Sequence, residues 1–122
     1  MTKKKILVID DEEAVLKMYK EKLDSEGFET LTASDGTAGL ELIRTKKPDL
    51  VLLDIIMPKY NGLDVLKDIK ADGQIKTTPV YLLTNLPEDS SEDKAKALGA
   101  AGYFVKAHFE PQTLVDEIKK KL

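Results

Sequence analysis

Short runs of uninterrupted apolar residues alternate along this chain with longer stretches in which apolar positions recur at helical spacing. The first run is Ile6-Leu7-Val8-Ile9, and Leu50-Val51-Leu52-Leu53 is its counterpart near the middle. Four apolar residues in a row leave no polar side for solvent, so both runs predict strands buried on both faces. Between them, Val15, Met18, Tyr19, Lys22 and Leu23 fall at i, i+3, i+4, i+7 and i+8 among charged residues, and Gly27 stops that helix. Residues 28–33 alternate apolar and polar side chains, which predicts a less buried edge strand. Ser34-Asp35-Gly36 turns the chain into a second helix, marked by Leu40 and Ile43 and ended by Lys46-Lys47-Pro48.

The cycle then repeats. The middle run ends at Asp54, and Met57-Pro58-Lys59-Tyr60-Asn61-Gly62 is a loop of turn residues. Leu63, Leu66 and Ile69, with Val65, predict a third helix. Residues 79–83 predict a fourth strand that ends at Thr84. Residues 87–98 predict a fourth helix with a thin stripe of Ala95, Ala97 and Leu98. Its acidic start (Glu88, Asp89, Glu92, Asp93) suits the positive end of a helix, and Gly99 caps it. Residues 102–105 predict the fifth strand, ending at Lys106. Pro111 opens a fifth helix with Leu114, Val115, Ile118 and Leu122 as its stripe. Five strands alternating with five helices predict an α/β fold, a parallel sheet with helices on both faces. Right-handed crossovers leave few topologies, and the common one for five strands is the doubly wound order 2-1-3-4-5, with the two most apolar strands, one and three, in the centre.

Composition narrows the function. A chain of 122 residues predicts one domain, 1–122, and 42% hydrophobic against 34% charged residues is a globular balance that excludes a disordered polar chain. No apolar run approaches the roughly 20 residues of a membrane helix. Thr2-Lys3-Lys4-Lys5 precedes only four apolar residues, too few for a signal peptide, so a cytoplasmic location without membrane contact is expected. The absence of cysteine excludes disulfides, zinc–thiolate sites, iron–sulfur clusters and cysteine nucleophiles. A net charge of −3 argues against direct nucleic-acid binding, and the Lys119-Lys120-Lys121 run sits in a last helical turn, where cations suit the dipole.

The strand ends carry the chemistry. Strand one ends in Asp10-Asp11, strand three in Asp54, strand four in Thr84 and strand five in Lys106. In the predicted topology these ends share one edge, and the switch point between strands one and three is where such folds bind ligands. Three converging carboxylates repel one another, and a divalent cation removes the conflict. Oxygen donors without histidine or cysteine suit Mg²⁺. Lys106 and Thr84 beside it suit an anion, and together these groups point to phosphoryl transfer onto a carboxylate. Singly, the same residues read as a solvated acidic loop, a helix cap and a surface lysine; only their joint placement points to this chemistry. His108, the one histidine, reads as an exposed loop residue.

From Lys5 to about Leu122 the chain resembles the receiver domain of two-component response regulators, of the single-domain, CheY-like type. The resemblance rests on Ile6-Leu7-Val8-Ile9-Asp10-Asp11, on Leu50-Val51-Leu52-Leu53-Asp54-Ile55-Ile56-Met57-Pro58, on the Gly62 turn, on Leu82-Leu83-Thr84 and on Tyr103-Phe104-Val105-Lys106. It implies a flavodoxin-like (βα)5 three-layer sandwich. It also implies a phosphoryl group accepted by Asp54 from a sensor histidine kinase or histidine phosphotransfer protein. Asp11, Asp54 and the Ile56 backbone carbonyl would bind Mg²⁺, or Mn²⁺ in its place, with Asp10 acting through bound water. Lys106 would pair with the phosphoryl group. Thr84 would move toward it, letting Tyr103 swing inward and changing the face formed by helix four, strand five and helix five. That face would engage a downstream protein, an output domain of a longer regulator, or a second copy in a dimer. Such a protein promotes only its own phosphorylation and dephosphorylation and is not an enzyme toward other substrates.

Three departures from the family pattern stand out. Receivers usually follow the lysine with proline across a cis bond. Here Ala107 follows Lys106, and because a non-proline cis bond costs about 2.5–4 kcal/mol a trans bond is expected. Asn85 replaces a small residue and narrows access to the pocket. Ile56 and Leu86 occupy the positions that set phosphoryl lifetime in the family; both are apolar, so slow loss is expected. The alternative reading is a receiver-like interaction module that is not phosphorylated. A dinucleotide enzyme is disfavoured because Asp10-Asp11-Glu12-Glu13 stands where a glycine-rich turn would be, and the same acids repel a flavin phosphate. A haloacid-dehalogenase-like phosphatase would need D-x-D at the end of strand one, where Asp10-x-Glu12 stands.

Overall fold

The computed structural model describes residues 3–85, 88–106 and 110–122, and of residues 88–91 the backbone alone. The elements alternate as β1 (Lys5–Ile9), α1 (Glu13–Ser25), β2 (Glu29–Ala33), α2 (Gly36–Lys46) and β3 (Leu50–Leu53). They continue as α3 (Gly62–Ala71), β4 (Val80–Thr84), α4 (Glu88–Ala97), β5 (Gly102–Val105) and α5 (Pro111–Lys121). All strand pairs are parallel, in the order β2-β1-β3-β4-β5. The doubly wound α/β fold expected from the pattern is therefore present, with the apolar strands β1 and β3 side by side in the centre.

Strand alternation divides the core in two. Ile6, Val8, Leu50 and Leu52 point to one face, where they meet Leu16, Tyr19 and Leu23 of α1 and Leu114, Val115 and Ile118 of α5. Leu7, Ile9, Val51 and Leu53 point to the other, where they meet Leu40 and Ile43 of α2, Val65, Leu66 and Ile69 of α3 and Ala95 of α4. The helices thus form layers α1/α5 and α2/α3/α4. Local chemistry fixes where they begin: the Asp35 side chain accepts from the Ala38 N–H at 2.7 Å, and that of Asn61 from the Asp64 N–H at 3.0 Å. Among the described residues no helix is long and apolar enough to cross a membrane.

Four details of the pattern are corrected. On α1 the buried stripe is Leu16, Tyr19 and Leu23, while Met18 is 40% exposed and Lys22 half-buried. Two neighbouring stripes share Tyr19 and Leu23, and the one through Leu16 points at the sheet. In α4, Ala97 faces solvent, and of the expected stripe Ala95 is buried and Leu98 partly buried. Leu122 lies past the end of α5 and is exposed. β4 also runs one residue later than expected: Thr84 is its last residue, and Pro79, which has no N–H to donate, contributes its carbonyl to Val51 N–H at 2.9 Å. The Lys106–Ala107 bond, Leu86 and His108 lie outside the described residues.

Gly62 opens α3 under the end of β3. A Cβ there would lie 2.1 Å from the Asp54 carbonyl oxygen and 2.8 Å from Ile55 Cα, both backbone atoms that cannot rotate away. Gly73, by contrast, has nothing within 4 Å of such a Cβ. Gly62→Ala is expected to destabilise the fold by about 3 kcal/mol, and Gly73→Ala to stay within about 0.5 kcal/mol of wild type. Urea-denaturation midpoints of the two variants check the contrast.

Candidate functional site

The register of the sheet builds the site. Ile9 pairs with Leu53, so Asp10 and Asp54 stand side by side, each one residue past its strand. The ladder continues to hold them, with Asp10 N–H donating to Ala33 O at 3.1 Å and Asp54 N–H to Ile9 O at 2.9 Å. Asp10 is 2% and Asp54 5% exposed, while Asp11, one residue further out, is open to solvent. One carboxylate oxygen from each of the three comes within 4.8 Å of the other two. Lys106, just beyond β5, sends its side chain past the ends of β4 and β3. Its ammonium lies 2.7 Å from Asp10 Oδ2 and 3.9 Å from Asp54 Oδ2.

The electrostatics do not balance. Among the described residues three carboxylates face one ammonium, and two of the carboxylates have left water. Burial first, and then the charge of Asp10, push Asp54 up to about 6, against the opposing pull of Lys106 and of the Ile56 N–H that it accepts. Such a cluster has the donor set of a hard divalent cation: oxygen ligands only, close together, and an uncompensated charge of about two.

The remaining predicted residues take distinct places. Thr84 is fully buried at the end of β4, in register with Val105. Leu82 pairs with Tyr103, so Thr84 and Tyr103 point to the same side of the sheet, two positions apart, toward the α2/α3/α4 layer. The Tyr103 ring packs on that core and its hydroxyl oxygen is out of solvent. Asn85 is exposed just past Thr84. Ile56 lies in the loop after Asp54 with its side chain 55% exposed and its N–H turned to the Asp54 carboxylate.

A sequence model of the response regulator receiver domain matches residues 6–119, nearly the whole chain. This chain belongs to that family. The receiver is 36% identical over 116 residues to the alkaline phosphatase synthesis transcriptional regulatory protein PhoP of Bacillus subtilis, covering 95% of this chain and 47% of that protein. It is 35% identical over 120 residues to the DNA-binding response regulator MtrA of Mycobacterium tuberculosis, covering 98% and 51%. The chain spans about half the length of the curated relatives it matches. Among solved structures, chemotaxis protein CheY4 of Vibrio cholerae superimposes with a TM-score of 0.91 at 30% identity, over 99% of this chain and 100% of that one. A CheY-like receiver domain protein of Methanospirillum hungatei gives 0.90 at 28% identity, over 98% and 94%.

Two features of the receiver's site went unread in the sequence. The Glu12 N–H donates to Asp10 Oδ1 at 3.0 Å, an Asx turn that orients Asp10; Asp followed two residues on by a free N–H is the available signal. The direct Lys106–Asp10 pair has no local signal, because 96 residues separate its partners.

The raised Asp54 has a thermodynamic consequence. A carboxyl whose folded pKa is above its unfolded value contributes stability that is complete below the unfolded value. That contribution is lost as pH rises through about 6. Ionised Asp54 therefore costs the metal-free fold up to about 3 kcal/mol at pH 7.5. Asp54→Asn is expected to be more stable than wild type there in the presence of EDTA, with the gap closing as pH falls below 4. Urea melts of both proteins between pH 3.5 and 8 measure it; a gap independent of pH would refute the assignment.

Proposed function

We propose that this receiver accepts a phosphoryl group on Asp54 from a phosphohistidine of a sensor histidine kinase or histidine phosphotransfer protein, and relays it as a change in the α4–β5–α5 face. The observation that carries this reading is the buried Asp54 carboxylate, set among two other acids and 3.9 Å from the Lys106 ammonium. In the transfer, an Asp54 oxygen attacks phosphorus and the P–N bond to the donor imidazole breaks, its electron pair staying on nitrogen. Asp11 and Asp54 would hold Mg²⁺ or Mn²⁺ directly, with the Ile56 backbone carbonyl as a third ligand and Asp10 acting through water. Bound there, the cation would neutralise charge on the transferring group and offset the repulsion of the carboxylates.

Lys106 then moves from Asp10 to the phosphoryl oxygens. Thr84 turns its hydroxyl toward the same oxygens, and the space it leaves lies on the sheet face that Tyr103 occupies. α4 is the element that yields: of its described side chains only Ala95 is buried, and thinly packed elements move first. The receiver acts on no substrate but itself. The reading goes with a cytoplasmic location and with an output through a partner protein, a dimer on the same face, or an output domain of a longer regulator. It assigns no nucleic-acid contact to the receiver itself.

Intact-mass spectrometry after incubation with Mg²⁺ and acetyl phosphate tests the reading. Wild type is expected to gain one phosphoryl mass and Asp54→Asn none. A wild type that gains none, and that also fails to bind beryllofluoride with Mg²⁺, would mark an interaction module that is not phosphorylated.

The lifetime of the phosphorylated state follows from Ile56. Its exposed, apolar side chain beside Asp54 offers no hydrogen bond to orient an attacking water. The phosphoryl mass is expected to decay slowly, and Ile56→Asn to shorten its half-life several-fold in the same experiment. Equal decay in both proteins would remove the side chain from that role.

A further inference from the structure

The loop from Ile55 to Asn61 joins the acidic site to α3, and it is held at both ends. At the site end the Ile56 N–H faces the Asp54 carboxylate, and Gly62 N–H donates to Ile55 O at 2.8 Å. At the far end stands Tyr60. Its ring lies against the first residue of α2, so closely that a Cβ on Gly36 would come within 2.5 Å of Tyr60 Cδ2. Its hydroxyl donates to Asp68 Oδ2, two turns into α3. Between the two ends the backbone is committed to an unusual path. Lys59 has φ +70°, a left-handed conformation that a residue with a Cβ keeps only when its neighbours dictate it. Tyr60 N–H closes the turn on Pro58 O at 2.8 Å.

We propose that Tyr60 and Asp68 form a latch that fixes the β3–α3 loop against α2 and α3, and so holds the Ile56 backbone in register with Asp54. Tyr60 is then a positioning residue for the metal and phosphoryl site, which it does not touch. The inference rests on the reading of that site given above. Burial first, and then the bond to Asp68, push the Tyr60 phenol above its ordinary range. It therefore stays protonated and remains a donor at any pH the protein meets. A phenol bonded to a carboxylate is a charge-assisted hydrogen bond, stronger than a neutral one. Groups that orient metal-site residues from outside commonly change affinity by tenfold or more when removed.

The test uses three variants of the whole chain. Tyr60→Phe keeps the ring and every charge and removes only the donor. Asp68→Ala removes the acceptor together with its charge. Asp68→Asn removes the charge but leaves an oxygen to accept, and so controls for electrostatics. Two readouts are followed: amide hydrogen exchange at Ile56 and Gly62 without metal, and Mg²⁺ affinity by titration calorimetry. Tyr60→Phe and Asp68→Ala are expected to accelerate exchange at both amides and to weaken Mg²⁺ binding by about tenfold. The double variant should be no worse than either single one, and Asp68→Asn, whose neutral amide oxygen still accepts, should fall between wild type and Asp68→Ala. A lowered melting temperature with unchanged exchange and unchanged Mg²⁺ affinity would reduce the pair to a packing contact and overturn the proposal. A wild type that binds no Mg²⁺, with exchange still accelerated in Tyr60→Phe, would keep the latch and overturn the metal reading instead.

Discussion

The repulsion among three carboxylates governs this molecule. Asp10 and Asp54 are placed side by side by parallel pairing of the two adjacent apolar strands β1 and β3, and neither can move without breaking the centre of the sheet. Asp11 adds a third charge from the rim. Among the described residues one ammonium, Lys106, answers them, and it does so unevenly, sitting on Asp10 at 2.7 Å and reaching Asp54 only at 3.9 Å. The site is therefore under-neutralised by construction. The same burial that makes ionised Asp54 costly also withdraws its carboxylate from competing water.

The parallel architecture explains why these groups meet at all. Every strand of the sheet ends on the same edge, so acids, a hydroxyl and a lysine from distant parts of the sequence arrive together. Packing at this edge leaves little freedom. Gly62 is required because a Cβ at the start of α3 would lie within 3 Å of the backbone of Asp54 and Ile55. The Asx turn at Glu12 sets Asp10. These are backbone constraints, and they hold the side chains to a narrow set of positions before any ligand is present.

Much of this was legible in the residues. The apolar runs of β1 and β3 have no polar side and could only be central strands, and the alternation of five strands with five helices left one common order. The identity of the strand-ending residues then placed Asp10, Asp54, Thr84 and Lys106 on one edge. What could not be read was rotational or long-range. Two overlapping stripes on α1 share Tyr19 and Leu23, and only the sheet beneath chooses Leu16 over Met18. The position of the Lys106 ammonium depends on how a flexible side chain crosses two strand ends, which no spacing encodes. Tyr60 read as a turn residue because its partner Asp68 is two helical turns away and its contact Gly36 belongs to another helix.

The two faces of the sheet resist change unequally, and this directs any response to a new charge at the strand ends. On one side α1 and α5 bury Leu16, Tyr19, Leu23, Leu114, Val115 and Ile118. Each such side chain accounts for roughly 1.5–3 kcal/mol of burial. Glu26 adds surface contacts to Lys119 and Gln112 across the same helices, which contribute little by comparison. On the other side α2 and α3 are similarly anchored, but the described part of α4 buries a single methyl group, that of Ala95. β5 is the edge strand next to it, with three of its four residues only partly buried, and it carries Lys106 at its end. In the proposed relay, a displacement of the Lys106 ammonium from Asp10 toward a group on Asp54 would meet least resistance in this strand and helix. Among the described residues the charge imbalance and the thinnest packing meet at β5, which is what the proposed relay requires of this end of the sheet.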